Sequence, residues 1–282
     1  MDSFSCQKVS VDLHMHTTCS DGTDSPEEIV KLASSKGLKV ISITDHDTVS
    51  GVQKAAEVAK GEGIEFVPGI EVTADTSFLP PDAEFHILGY FIDTESSAVK
   101  ELVEFFSKTR EKRNRLLIER LEDAGYDIHY EDVESVFGKN FGKPNIVTLL
   151  VEKKIVPTRK EAFSLIKKYK VKREKLDYRE IFRLLKEANG VPVVAHPPTL
   201  KIPRASYLSF FRKLKSEGLE GIEIVHSIHT PSDVETLRCV AGELSLFTTG
   251  GSDYHGYNKP DISLGMLNIK LEDLNFGIFT GV

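Results

Sequence analysis

Residues 9–22 read VSVDLHMHTTCSDG, a short run of strand character that stops in a cluster of histidines, hydroxyls and an aspartate. Residues 9–13 predict a strand, and His14 and His16 follow at i, i+2. In extended backbone that spacing turns both imidazoles to one side, where they can grip one metal ion. Gly22 lets the chain fold back after Asp21. Ser25-Pro26-Glu27-Glu28 then marks a helix start, with Ser as N-cap, Pro at the first helical position and acids at the positive end of the dipole. The predicted helix runs to about Lys36 and stops at Gly37. A strand, its functional residues and a helix, in that order, form the repeating unit of a parallel α/β fold.

The unit recurs. Strands are predicted at 40–43, 64–67 and 84–91, with a helix at 51–60. From about residue 97 to 188 strand signals fade. Helical spacing marks 101–124, 130–137, 144–154, 158–168 and 177–188, broken by Gly125, Gly138, Gly142 and Pro157. Alternation then resumes with strands at 191–195, 221–225 and 246–249 and helices at 205–217 and 231–241. The expected architecture is a discontinuous α/β catalytic domain, 1–96 and 190–282, with an all-helical insertion, 97–189, covering the active site.

Composition narrows the class. A hydrophobic content of 40% with 28% charged residues is that of a globular chain. No apolar run reaches the roughly 18–20 residues that span a bilayer, so no membrane partner is expected. The first ten residues carry neither a basic nor an apolar signal region, which makes the cytoplasm the expected location. Cys6, Cys19 and Cys239 form no CxxC pair and argue against a disulfide framework. A net charge of −7 argues against a nonspecific nucleic-acid coat protein. It leaves phosphorylated substrates open, since bound cations reverse a local field.

The informative residues sit where predicted strands end. They are His14, His16 and Asp21 after the first, His46 in Thr44-Asp45-His46 after the second, and Glu71 in Gly69-Ile70-Glu71 after the third. His86 lies in the fourth strand, His196 precedes Pro197, and Asp253 and His255 lie in Ser252-Asp253-Tyr254-His255. Each alone has a bland reading: Asp21 as a turn residue, Glu71 as a loop acid, His86 as a core histidine. Together, in one phase relative to the strands, they mark a metal site, because function in parallel α/β folds gathers at the carboxyl ends of strands. Histidines with carboxylates and few thiolates suit manganese, iron or zinc in a catalytic setting.

These motifs, with Phe85-His86-Ile87-Leu88-Gly89-Tyr90 and Ala195-His196-Pro197, resemble the polymerase and histidinol phosphatase (PHP) superfamily, and the layout is similar to its stand-alone phosphoesterases with a helical insert. The resemblance implies a distorted (β/α)7 barrel holding two to three divalent metal ions, manganese foremost, with iron or zinc as alternatives. It assigns His14, His16, Glu71 and Asp253 to one ion. Glu71 would bridge to a second held by His86 and His196, and Asp21, His46 and His255 would hold a third. It implies hydrolysis of nucleotide phosphomonoesters, such as nucleoside 3′,5′-bisphosphates, or of short 5′-phosphorylated oligonucleotides, by a metal-activated hydroxide. Glu71 and Asp253 would act at the reacting centre.

By the same resemblance His229, before the Thr230-Pro231 helix start, faces the substrate and protonates the leaving oxygen. His226 is the weaker candidate, and nothing marks Cys19 as a nucleophile. Arg110, Arg113 and Arg115 could grip a second phosphate, since guanidinium forks match phosphate geometry. Arg113 is the arginine the resemblance singles out. The basic run from Lys167 to Lys175 reads as surface. Where similar phosphatases show Gly-Arg-Pro-His, this chain has Gly142-Lys143-Pro144-Asn145. Lys143 cannot bind phosphate bidentately and Asn145 is no cationic donor, which loosens the link to bisphosphates while leaving phosphoester hydrolysis untouched. The alternatives are a phosphatase for another small phosphomonoester such as histidinol phosphate, or a non-catalytic module binding nucleic acid or a polymerase. No obligate protein partner is evident.

Overall fold

The computed structural model describes residues 9–138 and 141–275; Cys6 lies outside them. The chain divides into two units, Met1–Leu102 with Leu176–Val282, and Val103–Lys175.

In the first unit β1 (Val11–Asp12), β2 (Val40–Ile41) and β3 (Glu65–Phe66) form a parallel sheet in that order. A second sheet runs β4 (Gly69–Thr73), β5 (His86–Tyr90), β6 (Val191–Val194), β7 (Gly221–His226) and β8 (Phe247–Gly251). Bonds outside these ladders join the first sheet to both edge strands of the second. Leu13 N donates to Gly250 O at 3.1 Å, linking β1 to β8. Past β2, Glu71 N donates to Asp45 O at 3.2 Å and Asp47 N to Glu71 O at 2.8 Å, linking that strand's continuation to β4. The fold is α/β and barrel-like, and the ends of β1, β2, β4 and β8 meet on one side.

Local chemistry sets the helices. α1 (Pro26–Ser35) opens with a capping box: Ser25 Oγ accepts from Glu28 N at 3.2 Å, and Ser25 N donates to Glu28 Oε2 at 2.7 Å. Ile29, Val30 and Ala33 of α1 pack with Met15, Ile41 and Ile43, and with Ala55 and Ala59 of α2 (Val52–Glu62), in one buried cluster. Two further helices, α8 (Tyr207–Ser216) and α9 (Pro231–Leu244), follow β6 and β7. Thr230 caps α9, accepting from Asp233 N at 3.2 Å, which sets His229 just ahead of the helix.

Three expectations are corrected. Gly69-Ile70-Glu71, read as a strand end, begins a strand of its own, because Val67-Pro68 interrupts an extended run where Pro68 offers no N–H. β5 is antiparallel to both β4 and β6, not parallel. The β4–β5 link contains no helix, and a parallel return needs a crossover of that kind. Last, α7 (Tyr178–Glu187), grouped by helical periodicity with the insert, belongs to the first unit. Leu185 fills the space a side chain would occupy at Gly89, and Tyr178 packs on Phe85 at 5.7 Å between ring centroids. Periodicity shows that a helix is amphipathic but not which sheet its apolar face meets.

Among its described residues the regular elements of the second unit are all helices, joined by turns. α3 (Ser97–Asp123) begins in the first unit and continues into the second, followed by α4 (Tyr130–Phe137), α5 (Lys143–Glu152) and α6 (Arg159–Lys168). Leu117, Leu121, Val133, Ile146, Leu150 and Ile166 belong to its own buried cluster. Among the described residues no helix is long and apolar enough to cross a membrane.

The contact of β8 with the residues after β1 tolerates no side chain at Gly251. A Cβ there would lie 2.3 Å from His14 N and 2.8 Å from His14 Cα. Because those atoms are backbone, Gly251→Ala is expected to cost ~1–3 kcal/mol, read as a lower denaturant midpoint at unchanged slope in metal-free protein.

Candidate metal centre

Glu71, on β4, is 1% exposed and its carboxylate is ringed by imidazoles. Oε1 lies 2.9 Å from His196 Nε2 and 3.0 Å from His86 Nδ1. Oε2 lies 3.0 Å from His46 Nδ1, 3.2 Å from His16 Nε2 and 3.4 Å from His14 Nε2. Burial would raise its pKa, yet the surrounding His46, His86 and His14 hold it well below the usual carboxylate range.

Asp253 forms a second focus. Its Oδ1 lies 3.2 Å from His16 Nε2, 3.3 Å from His255 Nδ1 and 3.6 Å from His14 Nε2. Its Oδ2 lies 3.4 Å from His226 Nε2 and pairs with Lys259 Nζ. The residue sits in the left-handed region at φ 59, held by its N–H bond to His14 O at 2.8 Å. A non-glycine residue there stores strain, a feature that clusters at functional sites. Asp21 gathers a third group, with Oδ1 3.2 Å from His255 Nε2 and 3.8 Å from His16 Nδ1, and Oδ2 3.9 Å from His46 Nε2.

All nine residues singled out at strand ends come together. Their donor atoms form overlapping sets, each within 4.8 Å: His16, Asp21, His46 and His255; His14, His16 and Asp253; His14, Glu71 and His196; His46, Glu71 and His86. His46 thus belongs to two sets rather than to the Asp21 group alone. The residues fit a cation. His14 Nε2 and both ring nitrogens of His16 are buried without a hydrogen-bond partner, which native interiors rarely leave uncompensated.

Supporting groups escaped the sequence reading. Asp45 accepts from Thr17 N at 2.8 Å, Thr17 Oγ1 at 2.7 Å and Ser20 Oγ at 2.5 Å, shaping the turn that carries Asp21. Gly22 is required in that turn, since a Cβ would meet His16 O at 2.2 Å. Glu223 contacts His14, and Lys259 contacts Asp253. An acid inside the apolar run Gly221–His226 was the available signal for Glu223; nothing local marked Lys259. His226, ranked below His229, is the one beside Asp253. Its Nδ1 accepts from Ile228 N at 3.2 Å, so the neutral ring carries its proton on Nε2, toward Asp253. His229 Nδ1–H donates to Ile224 O at 3.0 Å, leaving Nε2 a buried lone pair, and burial lowers its pKa despite the nearby Glu223.

In the second unit the basic residues separate. Arg115 stacks 3.8 Å over the Tyr130 ring and pairs with Glu111, so it is committed locally. Arg113 is 8% exposed, and burial with Arg173 and Arg110 nearby lowers its pKa to about 10. Burial and the cations Arg113, Lys170 and Arg173 likewise lower Lys143 to about 8. Arg173 and Lys170, read as surface, therefore add to one positive cluster. Asn145 Oδ1 accepts from Gly142 N at 2.8 Å as a helix cap.

Imidazoles and carboxylates gathered in overlapping sets on one side of a barrel-like α/β fold are the donor set of a metal-dependent hydrolase. A family model, "PHP domain", matches residues 12–183, and the chain belongs to this family; it is a metal-dependent phosphoesterase. It is 31% identical to a phosphoribosyl 1,2-cyclic phosphate 1,2-diphosphodiesterase of Eggerthella lenta, over 87% of this chain and 94% of that one. It is 28% identical to a 5′-3′ exoribonuclease of Haemophilus influenzae (86% and 89%) and 25% identical to a 3′,5′-nucleoside bisphosphate phosphatase of Chromobacterium violaceum (87% of each). A crystal structure from Bifidobacterium adolescentis, described as a metal-dependent phosphoesterase, superposes with TM-score 0.78 at 29% identity, covering 94% of this chain and 93% of that one.

His16 sets a measurable linkage. Burial disfavours its charge, but Asp253 and Glu71 push its pKa up to about 10 in the metal-free protein. A metal ion competes with that proton. Binding of Mn2+ at pH 7 is expected to release protons, and affinity to rise from pH 6.5 toward 10. Calorimetry in buffers of different ionisation enthalpy reads the release; a buffer-independent heat would contradict it.

Proposed function

We propose that this enzyme hydrolyses phosphate esters on a ribose that carries two phosphate groups, with nucleoside 3′,5′-bisphosphates and short 5′-phosphorylated oligonucleotides as the leading substrates. The observation that carries the hydrolytic reading is the convergence of nine histidine, aspartate and glutamate residues, Glu71 among them, in overlapping sets, with buried nitrogens left for cations. We assign His14, His16, Glu71 and Asp253 to a first ion, Glu71, His86 and His196 to a second, and Asp21, His46 and His255 to a third. Bound divalent ions, manganese foremost, supply a water acidified from 15.7 toward about 7 and neutralise phosphoryl oxygens.

The chain's own groups do the remainder. Glu71 and Asp253 hold the imidazoles in one geometry. His229 presents Nε2 as a lone pair while Nδ1–H stays on Ile224 O. It therefore donates to a leaving oxygen only in its protonated fraction, which shrinks as pH rises through a pKa below 6.5. His229→Gln is expected to slow an alkyl phosphate far more than an activated aryl phosphate, because the latter needs no proton at its leaving oxygen. Equal losses for both would assign His229 elsewhere.

The substrate reading draws on the relatives, of which one is named for a nucleoside bisphosphate, one for RNA and one for a phosphoribosyl cyclic phosphate. The last favours a second reading, opening of a cyclic phosphodiester on a phosphorylated ribose. Both readings call for a cation site for a second phosphate, and we assign it to Arg113 and Lys143, with Asn145 beside them, on the chemistry of their own cluster. Phosphate release after manganese reconstitution, from nucleotides, 3′,5′-bisphosphates, cyclic phosphates and sugar phosphates, tests the assignment. Selective release from two-phosphate riboses supports it, and indifference to the second phosphate sinks it. Arg113→Ala is expected to raise KM for such substrates ~10–100-fold, the worth of one charge-assisted contact, and to leave an aryl monophosphate unchanged.

A further inference from the structure

Glu223, on β7, is completely buried, and its two oxygens serve two different ligand segments. Oε1 lies 2.9 Å from His14 Nδ1, and Oε2 accepts the backbone N–H of His196 at 2.7 Å. His14 follows β1, whereas His196 follows β6 and holds a left-handed conformation at φ 29 and ψ 63. We propose that Glu223 is a positioning residue that aligns the ligands of two metal ions at once, fixing His14 as the Nδ1–H tautomer and clamping the strained His196 turn. This rests on the metal-centre reading above and extends it to a residue that the strand-end pattern does not include.

The donor balance decides it. The His196 amide can only donate. His14 must keep Nε2 as a lone pair if it is to hold a cation on the Glu71 side, so its proton belongs on Nδ1. Two donors need two acceptors, and of the side chains of this size and shape only a carboxylate offers both. An amide at this position must turn its NH2 toward one of them. Glu223, His14 and His226 also lie close enough to form a cation site of their own. His14 Nδ1 is engaged by Glu223 and His226 Nδ1 by Ile228 N–H, while His226 Nε2 lies 3.4 Å from Asp253 Oδ2, so the carboxylate is read as support and not as a ligand. Supporting groups of this kind set ring orientation and the basicity of the coordinating nitrogen.

The test compares full-length wild type with Glu223→Gln, using Mn2+ calorimetry, turnover of an aryl phosphate against metal concentration, and 15N spectra of the histidine rings. Glu223→Gln is expected to bind Mn2+ ~10–100-fold more weakly, to lose kcat at limiting metal with little change in KM, and to recover when Mn2+ is in excess. Recovery by metal separates misplacement of ligands from general damage to the fold. In wild type loaded with diamagnetic Zn2+ the His14 ring is expected to carry its proton on Nδ1, a measurement that needs no variant and decides the matter should Glu223→Gln not fold. Wild-type affinity and stoichiometry in Glu223→Gln, or a His14 ring protonated on Nε2, overturns the proposal. A wild type that binds no divalent ion sinks the metal-centre reading, whereas a wild type that binds Mn2+ with the same affinity as Glu223→Gln sinks only the role of Glu223.

Discussion

The structure of the first unit turns on one buried carboxylate. Glu71 meets the rings of His14, His16, His46, His86 and His196 at 2.9–3.4 Å. A carboxylate removed from water without compensation costs several kcal/mol. The fold therefore has to bring donors from β1, β2, β5 and β6 to this one place. The backbone of the same residue bonds to Asp45 and Asp47 on either side of His46 and so joins β4 to the continuation of β2. Closure of the fold and assembly of the site are a single constraint.

Around that centre lies a shell of hydrogen-bonding groups that fix the ligand segments. Asp12, fully buried, accepts from Ser252 N and Gly265 N, each at 2.9 Å, and ties the start of β1 to the segment carrying Asp253. Tyr90 donates its hydroxyl to Leu13 O at 2.9 Å just before the first ligand. Asp45 and Glu223 do the same for the Asp21 turn and for His14 with His196. The site holds buried ring nitrogens of His14 and His16 without hydrogen-bond partners beside its carboxylates, the chemistry of a cation site. Left-handed Asp253 and His196 show how far the backbone departs from relaxed geometry to present ligands.

The second unit solves a different electrostatic problem. Arg113 and Lys143 are partly or largely withdrawn from solvent, and burial first, then the neighbouring cations, lowers their pKa values. Such a cluster is the complement of a phosphate. Arg115, two residues from Arg113, is spent on Tyr130 and Glu111 instead. Neighbours in a basic run of one helix thus face different surroundings, set by a rotation of about 100° per residue.

The nine strand-end donors, the capping box at Ser25 and the alternation of strands with helices were legible along the chain, because each is a local pattern of residue type and spacing. Helical periodicity between about residues 97 and 188 was legible in the same way. Local patterns carry no information about which strands pair or which way they run. β4 passed for a loop and β5 for a parallel strand, since direction follows from the connections around it, and α7 was grouped by periodicity with the insert although it belongs to the first unit. Asp45, Glu223, Lys259 and His226 likewise take their roles from partners as many as 209 residues away in the chain. An isolated acid or histidine in a strand reads the same whether it faces solvent or a ligand. Three-dimensional proximity settles which hydrogen-bond donor it meets, and that meeting gives the residue its chemistry.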